Sequence, residues 1–278
     1  METNSEPLIK VNQLRFRYPD TEEFVLNGID LEINEGEFIA FVGQNGAGKT
    51  TLVKHFNGLL LPTEGSVQIG GKDTQELSVE ETAHIVGYCY QNPDHQIFSS
   101  TVQAEVTFGP KNIGMPKEEL DQAVDRALEL VGLLEMKDRY PLMLGRGERQ
   151  KLAVASVLAM NSPVLIVDEP TTGMDVRGSR SIMKLLKEWH AAGQTILVVT
   201  HDMNIVAEFV PTMVVMANGK VLAKKATREA LLDEKLLKQA YLRPPQVTRI
   251  ARKLKDYGIK QEILTVQEMI QELSFAMK

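Results

Sequence analysis

Cysteine, long apolar runs and surplus positive charge are what this sequence has least of. A single cysteine, Cys89, among 278 residues excludes an intrachain disulfide and fits a reducing compartment. Its apolar neighbours Val86 and Tyr88 place the thiol in a packed core. No run of about 18 apolar residues occurs, so no segment reads as a membrane span. The start, Met1-Glu2-Thr3-Asn4-Ser5-Glu6, is polar and acidic, without the basic start and apolar centre of a signal peptide. Lysine and arginine number 31 against 37 aspartates and glutamates, a formal charge of −6. That balance argues against a broad nucleic-acid face and leaves only a local basic stripe open. Internal repeats and low-complexity tracts are also absent. What remains, 43% apolar and 24% charged residues, is an ordinary globular composition, with length for one large core or two smaller ones.

The strongest signal is the run Gly43-Gln44-Asn45-Gly46-Ala47-Gly48-Lys49-Thr50, directly after the apolar stretch Phe38–Val42. It fits a strand, a Gly-rich loop and a helix, the G-x-x-x-x-G-K-[ST] pattern of a phosphate-binding P-loop. Glycines let successive backbone N–H groups turn inward around phosphate oxygens, and the helix opening near Gly48 adds its positive dipole end. Lys49 would reach the β- and γ-phosphates, and the Thr50 hydroxyl would complete a Mg²⁺ shell.

The pattern along the chain is α/β. Residues 8–42 read as strands, with Ile29, Leu31 and Ile33 alternating against Asp30 and Glu32 as in an antiparallel strand with one wet face. Lys49–Phe56 reads as the helix after the loop, with Gly58 beyond its end. Ser66–Ile69 is a strand before a Gly70-Gly71 turn, Ser78 to Glu81 has the form of a capping box, and Ile85–Tyr90 is a buried strand. From Pro93 to Met160 the pattern turns helical: one helix with Pro116 at its first position, ending at Gly132, and another from Glu148 to Met160. Strand and helix then alternate again, through Val164–Val167, Gly178–Ala192 and Thr195–Val199 to a hairpin at Asn218-Gly219, implying a largely parallel, buried sheet. After Pro244-Pro245 two amphipathic helices follow, one striped by Val247, Ile250, Ala251, Leu254 and Tyr257. The other carries Val266, Met269, Ile270 and Leu273 behind a capping box at Thr265.

A P-loop alone fits kinases, GTPases and transport ATPases alike. Val164-Leu165-Ile166-Val167-Asp168-Glu169 narrows this, because an apolar strand ending in two carboxylates has the form of a Walker B motif. Asp168 would serve the Mg²⁺ shell, and Glu169 would orient or deprotonate water. Thr200-His201-Asp202 follows a further apolar strand, and strand ends on one edge of a parallel sheet converge on one crevice, so His201 could stand beside the γ-phosphate.

Taken together, Gly43 to Thr51, Gln91, Asp168-Glu169, Asp175 and His201 resemble, in order and spacing, the nucleotide-binding domain of ABC transporters, from about residue 8 to residue 240. The resemblance implies an α/β fold: a P-loop NTPase (RecA-like) core with an antiparallel β subdomain over residues 1–92 and 161–242. It also implies a helical (signature) subdomain at 93–160, followed by a small C-terminal helical module at 243–278. ATP and Mg²⁺ are the implied cofactors. Nucleotide contacts would come from Gly43, Gln44, Asn45, Gly46, Ala47, Gly48, Lys49, Thr50 and Thr51. By the same likeness Gln91 joins Thr50 and Asp168 at the metal and links it to the helical subdomain, Asp175 crosses a dimer interface, and Tyr18 stacks on adenine.

A narrower match runs from Gln91-Asn92-Pro93-Asp94-His95-Gln96-Ile97-Phe98 through Thr101-Val102 to Phe108-Gly109-Pro110. This segment, and the tail from Pro244 to Leu273, are similar to ATPases of energy-coupling factor (ECF) transporters, which import vitamins and transition-metal ions. That likeness implies a peripheral protein at the cytoplasmic face of the cell membrane with three partners and no nucleic acid. They are a second ATPase subunit, a transmembrane coupling subunit docked near Asp94–Phe108, and a membrane-embedded substrate-binding subunit. One departure stands out: where the family carries Leu-Ser-Gly-Gly-Gln, this chain has Leu144-Gly145-Arg146-Gly147-Glu148. In ABC dimers this segment caps the ATP of the opposite subunit. Gly145 has no hydroxyl and Glu148 adds negative charge, while Arg146 could either contact phosphate or block closure. Intact Walker motifs beside an altered signature favour a heterodimer with unequal sites over a homodimer.

Overall fold

The computed structural model describes residues 6–276. Met1–Ser5, read above as lacking a signal sequence, and the last two residues of the C-terminal segment lie outside the described residues. β1 (Ile9–Phe16) and β2 (Leu26–Ile33) pair antiparallel, Ile9 opposite Ile33 and Phe16 opposite Leu26. β3 (Phe38–Val42) runs through the glycine loop into α1 (Lys49–Phe56), the helix expected there. β4 (Glu64–Ile69) and β5 (Lys72–Asp73) return to β1, completing a four-stranded antiparallel sheet of order β2-β1-β4-β5. α2 (Val79–Ile85) has both halves of the expected capping box and leads into β6 (Val86–Cys89), which buries Cys89.

Between β6 and β7 (Val164–Asp168) the chain forms α3 (Val102–Asn112), α4 (Lys117–Val131) and α5 (Arg146–Leu158). α3 was not anticipated. Pro116 caps α4 rather than occupying its first turn, and α5 starts at Arg146, two residues before the expected Glu148, because Gly145 is the N-cap. Next come α6 (Val176–Ala191), β8 (Thr195–Val199), α7 (Met203–Phe209), β9 (Thr212–Ala217) and β10 (Lys220–Ala226). The six strands order as β10-β9-β3-β8-β7-β6, parallel from β9 to β6, with β10 antiparallel across the Asn218-Gly219 turn.

Alternation along the buried strands divides the interior, since successive side chains point to opposite faces. Phe38, Ala40 and Val42 of β3 face a core shared with α5 and α6, whereas Ile39 and Phe41 face α1 and the antiparallel sheet. The P-loop helix is thus clamped between two sheets by Leu52, Val53 and Phe56, all fully buried. Three chain segments close the molecule: α8 (Thr227–Leu232) with α9 (Glu234–Gln239), then α10 (Gln246–Lys253), then α11 (Val266–Ala276). The last two form a small core of Ala251, Ile259, Ile263 and Met269. The expected stripes are only partly inside. Ala251 and Met269 are buried, but Ile250, Tyr257, Val266, Ile270 and Leu273 are exposed. Among the described residues no helix is long and apolar enough to cross a membrane.

Candidate active site

The loop from Gly43 to Gly48 is held by close approach. A Cβ on Gly43 would collide with the Met216 carbonyl oxygen of β9, and one on Gly48, whose φ is +94°, would lie 2.8 Å from the Leu26 side chain. Lys49 is buried at the start of α1, and its Nζ donates to the carbonyls of Gly43 (2.9 Å) and Gln44 (3.0 Å). Burial lowers its pKa, while the charges of Glu169 and Asp168 act in the opposite direction. One residue beyond Thr50, the Thr51 hydroxyl shares a 3.2 Å hydrogen bond with the Tyr18 hydroxyl.

β7 ends by delivering two carboxylates to this loop. Asp168 is buried; its Oδ2 accepts hydrogen bonds from the Thr50 hydroxyl (2.9 Å) and the Tyr88 hydroxyl (3.0 Å). Its Oδ1 is buried without a partner, and burial raises its pKa, with smaller opposing contributions from the two hydroxyl donors. Thr50 and Gln91 line one cavity and Asp168 is buried directly behind Thr50; a hydroxyl, an amide and a carboxylate so grouped are a hard-oxygen donor set that fits Mg²⁺.

Glu169 follows in a left-handed conformation, φ +47°, a strained geometry for a residue with a side chain that costs on the order of 1 kcal/mol. Its N–H is fixed by the Val199 carbonyl of β8 at 2.8 Å. The carboxylate is 10% exposed; Oε1 accepts from His201 Nδ1 at 2.8 Å, and Oε2 accepts from the Thr172 hydroxyl at 3.3 Å. His201 is 63% exposed. The helix-capping task here falls to Asp202, which accepts from the N–H groups of Asn204 and Ile205 at the start of α7, leaving the imidazole to Glu169.

Asn45, Gly46, Ala47, Gly48, Lys49, Thr50, Thr51, Gln91 and Glu169 line one cavity of 370 Å³. Tyr18 is half-buried against Phe16 and lines a separate cavity of 500 Å³ with Asp20 and Thr63. Leu144–Glu148 and Asp175 do not line the P-loop cavity. The Gly145 N–H donates to Glu148 Oε2 at 2.8 Å, so the carboxylate caps its own helix. Arg146 lies across Gly173, where a Cβ would stand 2.5 Å from the guanidinium carbon. Asp175 caps α6 through the Gly178 N–H at 2.7 Å.

A larger cavity, 640 Å³, opens beside β6 between α2 and α3. Phe98 and Phe108, 65% and 48% exposed, meet edge to face on its wall with ring centroids 4.7 Å apart. Ile97 and Val102 from the same segment are core residues. The buried Glu105 fixes the wall, accepting from the N–H groups of Phe98 (3.1 Å) and Ser99 (2.8 Å). Arg149, which the sequence did not single out, joins the two regions. It donates to the Leu144 carbonyl at 2.6 Å and forms an ion pair with Asp94 at 2.8 Å.

Comparison with known proteins gives one direction. Residues 26–172 match the family model described as ABC transporter. The energy-coupling factor transporter ATP-binding protein EcfA of Methanocaldococcus jannaschii is 41% identical over 87% of this chain and 88% of its own length. A putative ABC transporter ATP-binding protein of Caldanaerobacter subterraneus subsp. tengcongensis is 43% identical over 95% of this chain. The chain spans only 45% of that relative's length. Among solved structures, cbiO1 from Clostridium perfringens, part of the ABC transporter complex cbiONQ, superposes with a TM-score of 0.76 and 34% identity, over 90% of this chain and 100% of its own. The ATP-binding cassette MJ0796, solved as a dimer bound to ADP and Pi, has a TM-score of 0.71 and 29% identity, over 79% of this chain and 98% of its own.

Proposed function

The chain belongs to the ABC transporter family, among the ATP-binding proteins of energy-coupling factor transporters, and we propose that it hydrolyses ATP to power import of a vitamin or transition-metal ion through membrane partners. The observation that carries this reading is the single cavity in which the glycine loop, Lys49 and Thr50 face Glu169. Backbone N–H groups at the start of α1 would receive phosphate oxygens. Lys49, leaving the carbonyls of Gly43 and Gln44, would neutralise them. Thr50, Asp168 and Gln91 would hold Mg²⁺, which when bound neutralises charge on the β- and γ-phosphate oxygens. Glu169 would take the proton of the attacking water, while His201, hydrogen-bonded to its Oε1, would offer its other ring nitrogen to the γ-phosphate. A general base of this kind contributes ~10²–10⁴-fold.

The altered signature favours a heterodimer. Gly145 offers no hydroxyl, and its N–H is already engaged by Glu148, so the productive site would join this chain's Lys49 and Glu169 to an intact signature on another ATPase. The exposed ring pair Phe98 and Phe108 suits the groove near Asp94–Phe108 to an apolar helix of a transmembrane coupling subunit. With a membrane-embedded substrate-binding subunit as a further partner, the protein would work peripherally at the cytoplasmic face of the cell membrane. The alternative, a soluble ATPase acting on nucleic acid or ribosomes, gains nothing from a net charge of −6 or from relatives named as transporter subunits. Phosphate release by the transporter complex tests the reading: Glu169→Gln is expected to lower turnover at least ~10²-fold and to keep ATP binding. Normal turnover by that variant removes Glu169 from catalysis. A tagged chain is expected to bring a second ATPase and integral membrane subunits with it from membranes; recovery with RNA alone refutes the transport role.

A further inference from the structure

Among the described residues, the Tyr88 hydroxyl is the one side-chain hydrogen-bond donor to Asp168 that the P-loop does not supply. β6 is the edge strand, parallel to β7, with Tyr88 opposite Ile166 and Cys89 opposite Val167. Asp168 lies two residues beyond Ile166, so both side chains stand on the same face of the sheet on a diagonal that only a long side chain crosses. Tyr88 crosses it: its hydroxyl donates to Asp168 Oδ2 at 3.0 Å. Its ring is packed against the core on the P-loop side, makes an edge-to-face contact with Tyr90 at 5.0 Å, and forms part of the wall of the 640 Å³ groove.

We propose that Tyr88 is a positioning residue for the metal site: by holding Asp168 Oδ2 beside the Thr50 hydroxyl, it fixes the carboxylate from which the divalent cation of the nucleotide complex is held. This rests on the reading of Asp168 as a member of the Mg²⁺ shell. Thr50 binds the cation through a lone pair and can keep its O–H on Asp168, but one donor leaves the carboxylate free to swing about that bond; the Tyr88 hydroxyl, outside the cation shell, is the second donor that fixes it. Groups that orient a metal-binding carboxylate typically alter metal affinity 10–100-fold when removed. Phenylalanine at this position keeps the ring, its packing and the groove wall, and deletes only the donor.

The test is binding of the non-hydrolysable analogue AMP-PNP to the purified chain by calorimetry, first in EDTA and then across a MgCl₂ titration, for the parent, Tyr88→Phe and Tyr88→Leu. The Mg²⁺ concentration giving half of the maximal gain in affinity is expected to rise about 10-fold in both variants, with affinity in EDTA unchanged. Equal Mg²⁺ midpoints in parent and variants overturn the proposal, as does an equal loss in EDTA, which assigns Tyr88 to packing alone. A parent that binds the analogue equally well with and without Mg²⁺ removes the metal reading of Asp168, and the role of Tyr88 with it. A Mg²⁺-dependent parent beside unchanged variants removes only Tyr88.

Discussion

His55 makes the P-loop helix sensitive to acid. It is fully buried on α1, one turn beyond Thr51, edge-on to Phe16 at 4.7 Å. Its Nδ1 lies 2.8 Å from the Thr51 carbonyl, which can only accept, so the neutral ring carries its proton there. Burial pushes the pKa down to about 4, against roughly 6.5 in an unfolded chain. Between those values the unfolded state binds the extra proton and the folded state does not, so stability falls as pH falls from about 6.5 to 4 and is flat above that window. Taking those two pKa values, the loss between pH 7.5 and pH 5.0 is about 2 kcal/mol. In a chain of this length that is a fall in Tm of roughly 4 °C from this residue. Other groups titrate too, so the measurement is a difference. Thermal unfolding of the parent and of His55→Leu is compared at both pH values, leucine filling similar volume without a titrating group. The parent is expected to lose about 4 °C more than the variant on acidification. Equal losses would show that His55 is charged, or solvated, inside the fold, and the argument from burial would fail.

Three further outcomes follow from the site. Tyr18→Ala is expected to weaken ATP binding by ~1–3 kcal/mol, with Tyr18→Phe close to the parent, if the ring stacks on the base; an alanine variant with unchanged affinity in a nucleotide titration refutes that role. Gly43→Ala drives a methyl group into the Met216 carbonyl and is expected to lower stability by about 1–3 kcal/mol together with nucleotide affinity; a variant with the parent's melting temperature contradicts the close approach. The double change Gly145→Ser with Arg146→Gly is expected to raise phosphate release by the chain alone at least several-fold, whereas high homodimer turnover unaffected by the change defeats the unequal-site proposal.

Much of the fold is written locally. The strand, loop and helix around Lys49 begin and end where apolar runs meet glycines, and both capping boxes, at Ser78 and Thr265, use residues three apart. α3 was hidden by Gly109 and Pro110 in its last turn. The signal that marks it is Thr101, whose hydroxyl accepts from the Ala104 N–H, and the prolines and glycines outweighed it. In α10 the periodicity correctly indicated a helix, but a stripe has two edges, and only packing decides that Ala251 goes in while Ile250 stays out. The site divides the same way. That Lys49, Thr50, Asp168, Glu169 and His201 come together could be read because strand ends on one edge converge. The Tyr88 contact depends on the register between β6 and β7, and that of Arg146 with Gly173 on how α5 sits against the loop after Glu169. Neither leaves a mark in local spacing.

The Arg146 and Gly173 contact separates two kinds of constraint. Any side chain at 173 would displace a guanidinium whose carbon would lie 2.5 Å from the new Cβ, and must also adopt a φ of +75°. In a chain with a short residue at 146, only the backbone strain would remain. A guanidinium is the free end of a flexible side chain and can swing aside, so the lasting barrier at 173 is the φ of +75°, whatever stands at 146. The loop after Glu169 is therefore held to glycine by its own backbone, while the signature beside it is free to vary.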